Sequence, residues 1–214
     1  MNLAVTQYTI QEPILPLSGR HILAQYDADS VIVYQAYRPS IGRFAAQNGY
    51  FGDDFSYSRM SWCKPNFLWM MYRSGWGTKE GQEITLAVRL NRPFFESLLA
   101  QSVPSSYDTQ LYAEKSEWSR AVSASEVRLQ WDPDHDPAGG SLQRRALQLG
   151  LRGSILREYG QSAILSIEDI SDFVAEQRAH LAPPSFGELF VPVERVYTPK
   201  DAITAARLQL SDFS

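Results

Sequence analysis

Apolar residues in this chain gather in short dense runs separated by Gly, Pro, Asp and Ser. Ser30 to Tyr37, reading SVIVYQAY, is rich in β-branched and aromatic residues, follows the turn-like Asp27-Ala28-Asp29 and ends at Arg38-Pro39, which predicts a central strand. Ser40 is then expected to cap a helix over Ile41 to Asn48, with Gly49 as its left-handed end. Phe55 to Trp62 predicts a short strand, and Pro65 the first turn of a helix that runs to about Ser74 and stops at Gly75. Phe67 to Tyr72 puts apolar surface on every face of that helix, so it belongs inside a domain. Glu83 to Leu90 predicts a second buried strand and Pro93 to Ala100 the helix after it, giving the first half a βαβαβα rhythm.

The second half is less regular. Residues 102–125 lack a clean period, although Ser116 to Val122 fits a helical turn or two. Val127 to Trp131 predicts a strand that breaks at WDPDHDPAGG, whose Pro, Asp and Gly content marks a loop. Leu142 to Leu151 reads as strand or helix, with a helix following to Tyr159; Ile164 to Ile167 reads as a strand and Ile170 to Leu181 as a helix. A tail punctuated by Pro192 and Pro199 ends in an amphipathic piece, Asp201 to Leu210. Residues 1–19 are expected to form an arm or early edge strand, and residues 20–214 one globular domain. The expected class is α+β, a central mixed or split β-sheet flanked by helices.

Composition narrows this picture. With 214 residues, 44% of them apolar, the chain can bury one sizeable core. A net charge of −4 gives no bulk attraction for nucleic acid or an acidic membrane, so such a partner would need a local patch. The lone Cys63 excludes an internal disulfide and fits a reducing compartment. The first residues lack a basic n-region, and no window approaches the run of about eighteen apolar residues of a membrane span, so a cytoplasmic location is expected.

The segment RMSWCKPNFLWMMYRSGWG, Arg59 to Gly77, joins three of the five Trp to Lys64 and Arg73. Arg59 to Arg92 holds six cations against two acids, within an acidic chain. Guanidinium forks bind phosphate or carboxylate, and aromatic faces stack on bases, so a nucleotide-like anion satisfies both. The alternative is that Trp62, Trp69 and Trp76 are core residues whose cationic neighbours reach out to solvent. Gln35, inside an apolar strand, must be hydrogen-bonded if buried, whether by a ligand or by a neighbouring loop. Asp132, Asp134, His135 and Asp136 do not have EF-hand spacing, and Asp-Pro steps are ordinary turn formers, so no metal is expected. Glu168-Asp169 reads as a helix cap, and Cys63 as a buried, inert thiol.

Long strings carry a family resemblance. VYQAYRP at Val33 to Pro39 and RMSWCKPNFLWMMYRSGWGTK at Arg59 to Lys79, supported by QWDP at Gln130, LQLGL at Leu147 and SIEDI at Ser166, resemble the bacterial and fungal family catalogued as domain of unknown function 4291. The chain departs from that pattern at Leu23, where a second Arg is common, and at Cys63, where Ile is common; the latter argues against a thiol nucleophile. The layout is also similar to the ADP-ribosyltransferase superfamily. That likeness implies NAD as cofactor, Gln35, Gln130 and Tyr72 in the catalytic positions, and dissociative cleavage of an N-glycosidic bond. It further implies Arg38, Arg59 and Lys64 on the pyrophosphate and Trp62 or Tyr72 on the base, with Arg20, Tyr37, Arg73 and Trp76 as further ligand contacts. Two functions are therefore expected to compete. One is a nucleotide-using transferase acting on a nucleic acid or protein, and the other a non-catalytic RNA or single-stranded DNA binder using the same cation-aromatic surface. The oligomeric state is left open.

Overall fold

The computed structural model describes residues 3–181 and 185–212. In chain order the elements are β1 (Val5–Gln7), α1 (Tyr8–Gln11), β2 (Ser18–Arg20), β3 (Ile22–Ala24), β4 (Ser30–Tyr37), α2 (Pro39–Asn48), β5 (Ser61–Cys63), α3 (Phe67–Ser74), β6 (Ile84–Asn91) and α4 (Arg92–Gln101). There follow β7 (Val103–Pro104), α5 (Lys115–Ala124), β8 (Val127–His135), β9 (Ser141–Leu151), α6 (Gly153–Gly160), β10 (Ile164–Asp169), α7 (Ser171–Arg178), β11 (Phe190–Pro192), β12 (Arg195–Tyr197) and α8 (Ala202–Arg207). The result is a mixed α+β domain.

Two sheets organise it. The first is antiparallel, in the order β10-β6-β4. The second is mixed, in the order β2-β9-β8-β7, with β5 pairing the far end of β9 on the same edge as β2. A backbone bridge links them. Tyr34 of β4 donates its N–H to the Lys64 carbonyl (2.7 Å), and Lys64 returns its own N–H to Tyr34 (3.2 Å). The seam therefore lies at Lys64, immediately after β5.

Strand β4 is buried on both faces, and its alternation sorts residues between two cores. Val31 and Val33 join the larger cluster with Leu86, Val88, Leu149 and Leu151, whereas Ile32 and Tyr34 join a smaller one with Phe67, Met71, Trp76 and Val174. The apolar α3 fills the second core, as its sequence requires: Phe67 to Met71 are all buried. Its first turn is capped twice. Asn66 Oδ1 accepts from Trp69 N (2.6 Å), and the buried Glu194 carboxylate accepts from Phe67 N (2.6 Å) and Asn66 Nδ2 (3.1 Å). Burial pushes the Glu194 carboxyl up to about 8 although the Phe67 N–H favours its charged form.

Several expectations shift at their edges. Helix α2 begins at Pro39 with Arg38 as N-cap, two residues earlier than a Ser40 cap implied, and Gly49 ends it at φ 76°. Helix α3 begins at Phe67 rather than Pro65, because the bridge to Tyr34 holds Lys64 extended and the two caps start the helix at Asn66. Of Phe55 to Trp62 only the end is strand, at Ser61–Cys63. The largest correction concerns WDPDHDPAGG. Strand β8 continues through Asp132, Pro133 and Asp134 to His135, with the register shifting between Pro133 and His135, and only Asp136 to Gly140 forms the hairpin turn. A strand admits Pro where the ladder is already irregular. The 142–151 ambiguity resolves to the long strand β9. The N-terminal residues pack as β1 against β11 and β2 against β9, with Leu3, Gln11 and Leu15 buried. Among the described residues, no helix is long and apolar enough to cross a membrane.

Candidate functional site

The second sheet has two unlike faces. On β8, Val127 and Leu129 enter the larger core with Trp131 packed against it, while the alternate residues Arg128, Gln130, Asp132 and Asp134 point the other way. On β9, Leu147, Leu149 and Leu151 enter the core, leaving Arg144, Ala146, Gln148 and Gly150 on the opposite face. Cys63 of β5 is core, so Trp62 and Lys64 join the polar side. The pairs Gln130↔Gln148 and Cys63↔Leu149 extend to a row in which Lys64, Gln148 and Gln130 lie side by side across three strands. Such a face usually meets water. Here much of it does not: Lys64 is 5% exposed, and Arg128, Arg144 and Gln148 are also buried.

Most of these polar groups have partners. Asp132 accepts from Gln130 Nε2 (2.8 Å) and Gln148 Nε2 (2.6 Å), and Arg128 donates to the Ser125 carbonyl (3.0 Å). At the far end Arg144 grips Glu12 with two bonds (2.8 and 3.0 Å) and Asp134 with a third (2.5 Å). Lys64 is different. Among the described residues nothing accepts a hydrogen bond from its ammonium or forms an ion pair with it, and the ammonium itself keeps a solvent contact at the end of an otherwise buried side chain. Burial pulls its pKa down to about 8, with Arg73 pushing the same way and Cys63 and Asp132 opposing. Cys63, beside it but in the core, has its thiol pushed up to about 12 by burial and is inert as a nucleophile.

Trp62 forms a wall of this face. Its ring lies over Gly150, where an added Cβ would stand 2.9 Å from the indole and 2.8 Å from Met60 Sδ. Gly150→Ala should therefore displace the indole and cost about 1–3 kcal/mol, as overpacking does. Denaturant unfolding and the tryptophan emission maximum measure both effects, and an unchanged emission would show that Trp62 is not held there.

The remaining expected site residues divide among other places. Tyr37, Arg38 and Arg59 line an open cleft of ≈ 480 Å³ with Asp54 and Ser61. Arg38 is ion-paired to Asp54 (3.0 Å) in that cleft, and Tyr37 OH meets Ser61 Oγ (2.6 Å). Gln35 lies behind it, satisfied at both ends: Nε2 donates to Ser61 Oγ (3.0 Å) and the Trp62 carbonyl (3.1 Å), and Oε1 accepts from Tyr159 OH (2.6 Å). It ties β4 to β5 and α6. It thus faces the core side, away from Gln130. Arg20 bonds Gln209 and lines a cavity of ≈ 330 Å³ with Arg207 and Tyr107, which Gln130 also borders. Tyr72 is exposed on one side and stacked on His135 (3.5 Å between centroids), and Trp76 is buried with Nε1 bonded to the Pro137 carbonyl (3.2 Å). Lys64, Trp62 and Gln130 thus share the polar face, where Arg73 adds positive charge, while Gln35, Tyr37, Arg38 and Arg59 belong to the other side of the seam.

Sequence reading missed Arg128, Asp132 and Gln148 as members of the site. Their signal was present as strict alternation in VRLQWD and RALQLGL, hidden by reading the first as ending in a loop and leaving the second undecided. No group of three or more His, Cys, Asp or Glu converges as metal ligands among the described residues. Asp134 serves Arg144, and Asp136 closes the hairpin turn onto Gly140 N (2.8 Å). Asp169 ends β10 and accepts from Ser171 N (2.9 Å) in the turn into α7, whose N-cap position is taken by Ile170 and not by either expected acid.

Residues 21–197 match the family described as Domain of unknown function (DUF4291). No curated protein matches the chain.

Proposed function

The chain belongs to that family, and from its buried polar face we propose that it is a nucleotide-binding enzyme, a transferase whose donor is a nucleotide anhydride such as NAD. One observation carries this reading: a lysine only 5% exposed, at the seam of two sheets, whose ammonium has no protein partner among the described residues and keeps contact only with solvent. A buried, unpaired charge is unfavourable in the free protein, and an anion arriving beside it removes that penalty. Arg73, exposed at the end of α3, adds a second cation, and Trp62 offers a half-buried aromatic face. Phosphates would lie against Lys64 and Arg73, with the base on Trp62. The Asp132 carboxylate, oriented by Gln130 and Gln148, supplies a proton acceptor on the same face.

ADP-ribosyl transfer from NAD is one form of this chemistry. Its support is the α+β class and the cation-aromatic pairing; Gln35, held by Ser61, Trp62 and Tyr159, would act there as a positioning residue behind the Tyr37 cleft. Thermal shift and calorimetry with NAD, ATP and their monophosphates test the proposal. Binding should raise the melting temperature, quench tryptophan emission and weaken at least tenfold in Arg73→Ala. Silence from every nucleotide at millimolar concentration would overturn it. Oligonucleotide binding with a steep salt dependence, in place of nucleotide binding, would favour the non-catalytic reading.

A further inference from the structure

Lys64 has more to offer than charge. Its backbone is pinned on both sides, by the paired bonds to Tyr34 and by the register of β5 on β9, so the side chain starts from a fixed point at the seam. It leaves that point on the polar face, in the row with Gln148 and Gln130. The charged groups facing it are Arg73 from α3 and Asp132 from β8, with the Cys63 thiol adjacent in the chain. Burial disfavours the ammonium, so a minor but reactive fraction of the side chain is neutral amine at neutral pH. A neutral amine has a lone pair. An amine with no protein partner, on a largely buried side chain beside a second cation, is an arrangement that makes lysine a nucleophile.

Resting on the nucleotide reading above, we propose that Lys64 Nζ is the covalent acceptor of the donor nucleotide. The amine attacks the phosphorus next to the ribose, forming an N–P bond. The bond from that phosphorus to the bridging oxygen breaks, and the leaving group departs with the electron pair. It is pyrophosphate if the donor is a nucleoside triphosphate and a mononucleotide if the donor is a dinucleotide pyrophosphate. The nitrogen gives up one proton to Asp132, which is half-buried and passes it to water. The product is a lysyl phosphoramidate carrying a nucleoside monophosphate, from which an acceptor could take the nucleotide in a second step. Nothing is oxidised or reduced. Arg73 stabilises the charge that grows on the phosphoryl oxygens.

The full chain is incubated with ATP or with NAD in magnesium-containing buffer, denatured, and read by intact and peptide mass spectrometry. The expected result is a nucleoside monophosphate adduct on the peptide containing Lys64, stable to alkali and lost in acid, formed from one donor and not the other. Lys64→Arg keeps the positive charge but removes the nucleophile, so it should retain nucleotide-induced thermal stabilisation and lose the adduct completely. If that variant does not fold, Asp132→Asn serves, expected to slow adduct formation at least tenfold while nucleotide still binds. Nucleotide binding to the native chain with no adduct from either donor would overturn the covalent role and leave the nucleotide reading intact. An adduct mapped to a different lysine would also overturn it. Absence of both binding and adduct removes both proposals.

Discussion

Replacing Lys64 with methionine is expected to stabilise the protein at neutral pH while abolishing nucleotide binding. Methionine fills similar volume without a charge, and exchanging a buried ionic group for a well-packed apolar one often gains about 1–4 kcal/mol. The pH dependence identifies the source. Lys64 has a folded pKa of about 8 against 10.5 for the ordinary side chain. Below pH 8 both folded and unfolded chains carry the proton, and the folded state bears the whole burial penalty. Between pH 8 and 10.5 the unfolded chain binds more proton than the folded one, so stability rises with pH as the penalty fades. Its full size is on the order of 3 kcal/mol. Glu194, with its carboxyl raised to about 8, works in the window below: its contribution falls as pH rises from 4.5 to 8. Cys63 and the buried tyrosines add opposing slopes at high pH, so the informative quantity is the difference between native and Lys64→Met unfolding free energies. That difference should be flat below pH 8 and shrink above it. A difference independent of pH up to 10.5 would show that Lys64 is not desolvated.

The second large effect is expected at the other end of the same face. Arg144→Met should cost about 3–5 kcal/mol, the usual result of removing one member of a buried ionic cluster. Asp134 is buried at its side chain to 1% exposure and would lose its counter-ion, while Glu12, at 25%, can turn to water. Burial already pushes the Asp134 carboxyl upward against the pull of Arg144. Without the guanidinium it should keep its proton to higher pH, so the loss should be smaller in acid, where the unfolded carboxyl is protonated too. Arg144→Met combined with Asp134→Asn should recover most of the stability, since neither buried charge remains. Urea unfolding of the four proteins in the cycle measures the coupling. Additive losses would mean that Arg144 and Asp134 do not depend on each other.

These two predictions concern residues that differed in how easily the sequence revealed them. β4, α3 and β6 were legible because each carries its own pattern: a β-branched run closed by Arg38-Pro39, an all-apolar stretch ended by Gly75, and an Ile/Leu/Val run. Local propensity and burial agree there. They disagree at β8, where Pro133 and three aspartates signal a turn, yet pairing with β9 carries the strand on to His135. Arg144 went unremarked because LQRRALQLGL suits either a strand or a helix, and only the hairpin partner decides. Lys64 was singled out for its charge beside aromatic residues; its isolation could not be seen.

The amino-acid sequence by itself determined the family, the α+β class, the identity of the two principal buried strands and the concentration of cations around Arg59 to Arg92. Those properties are local or compositional, and short-range sterics and side-chain burial enforce them wherever the segment finds itself. The tertiary structure alone decided that the cations do not share one site, that Gln35 is satisfied within the fold, and that Lys64 is largely buried without a protein partner among the described residues. The physical reason is the Tyr34–Lys64 bridge, which joins residues thirty positions apart and turns Lys64 onto the face of a sheet whose two long strands, β8 and β9, lie more than sixty residues further along. Burial of one charge depends on what all of those strands place around it.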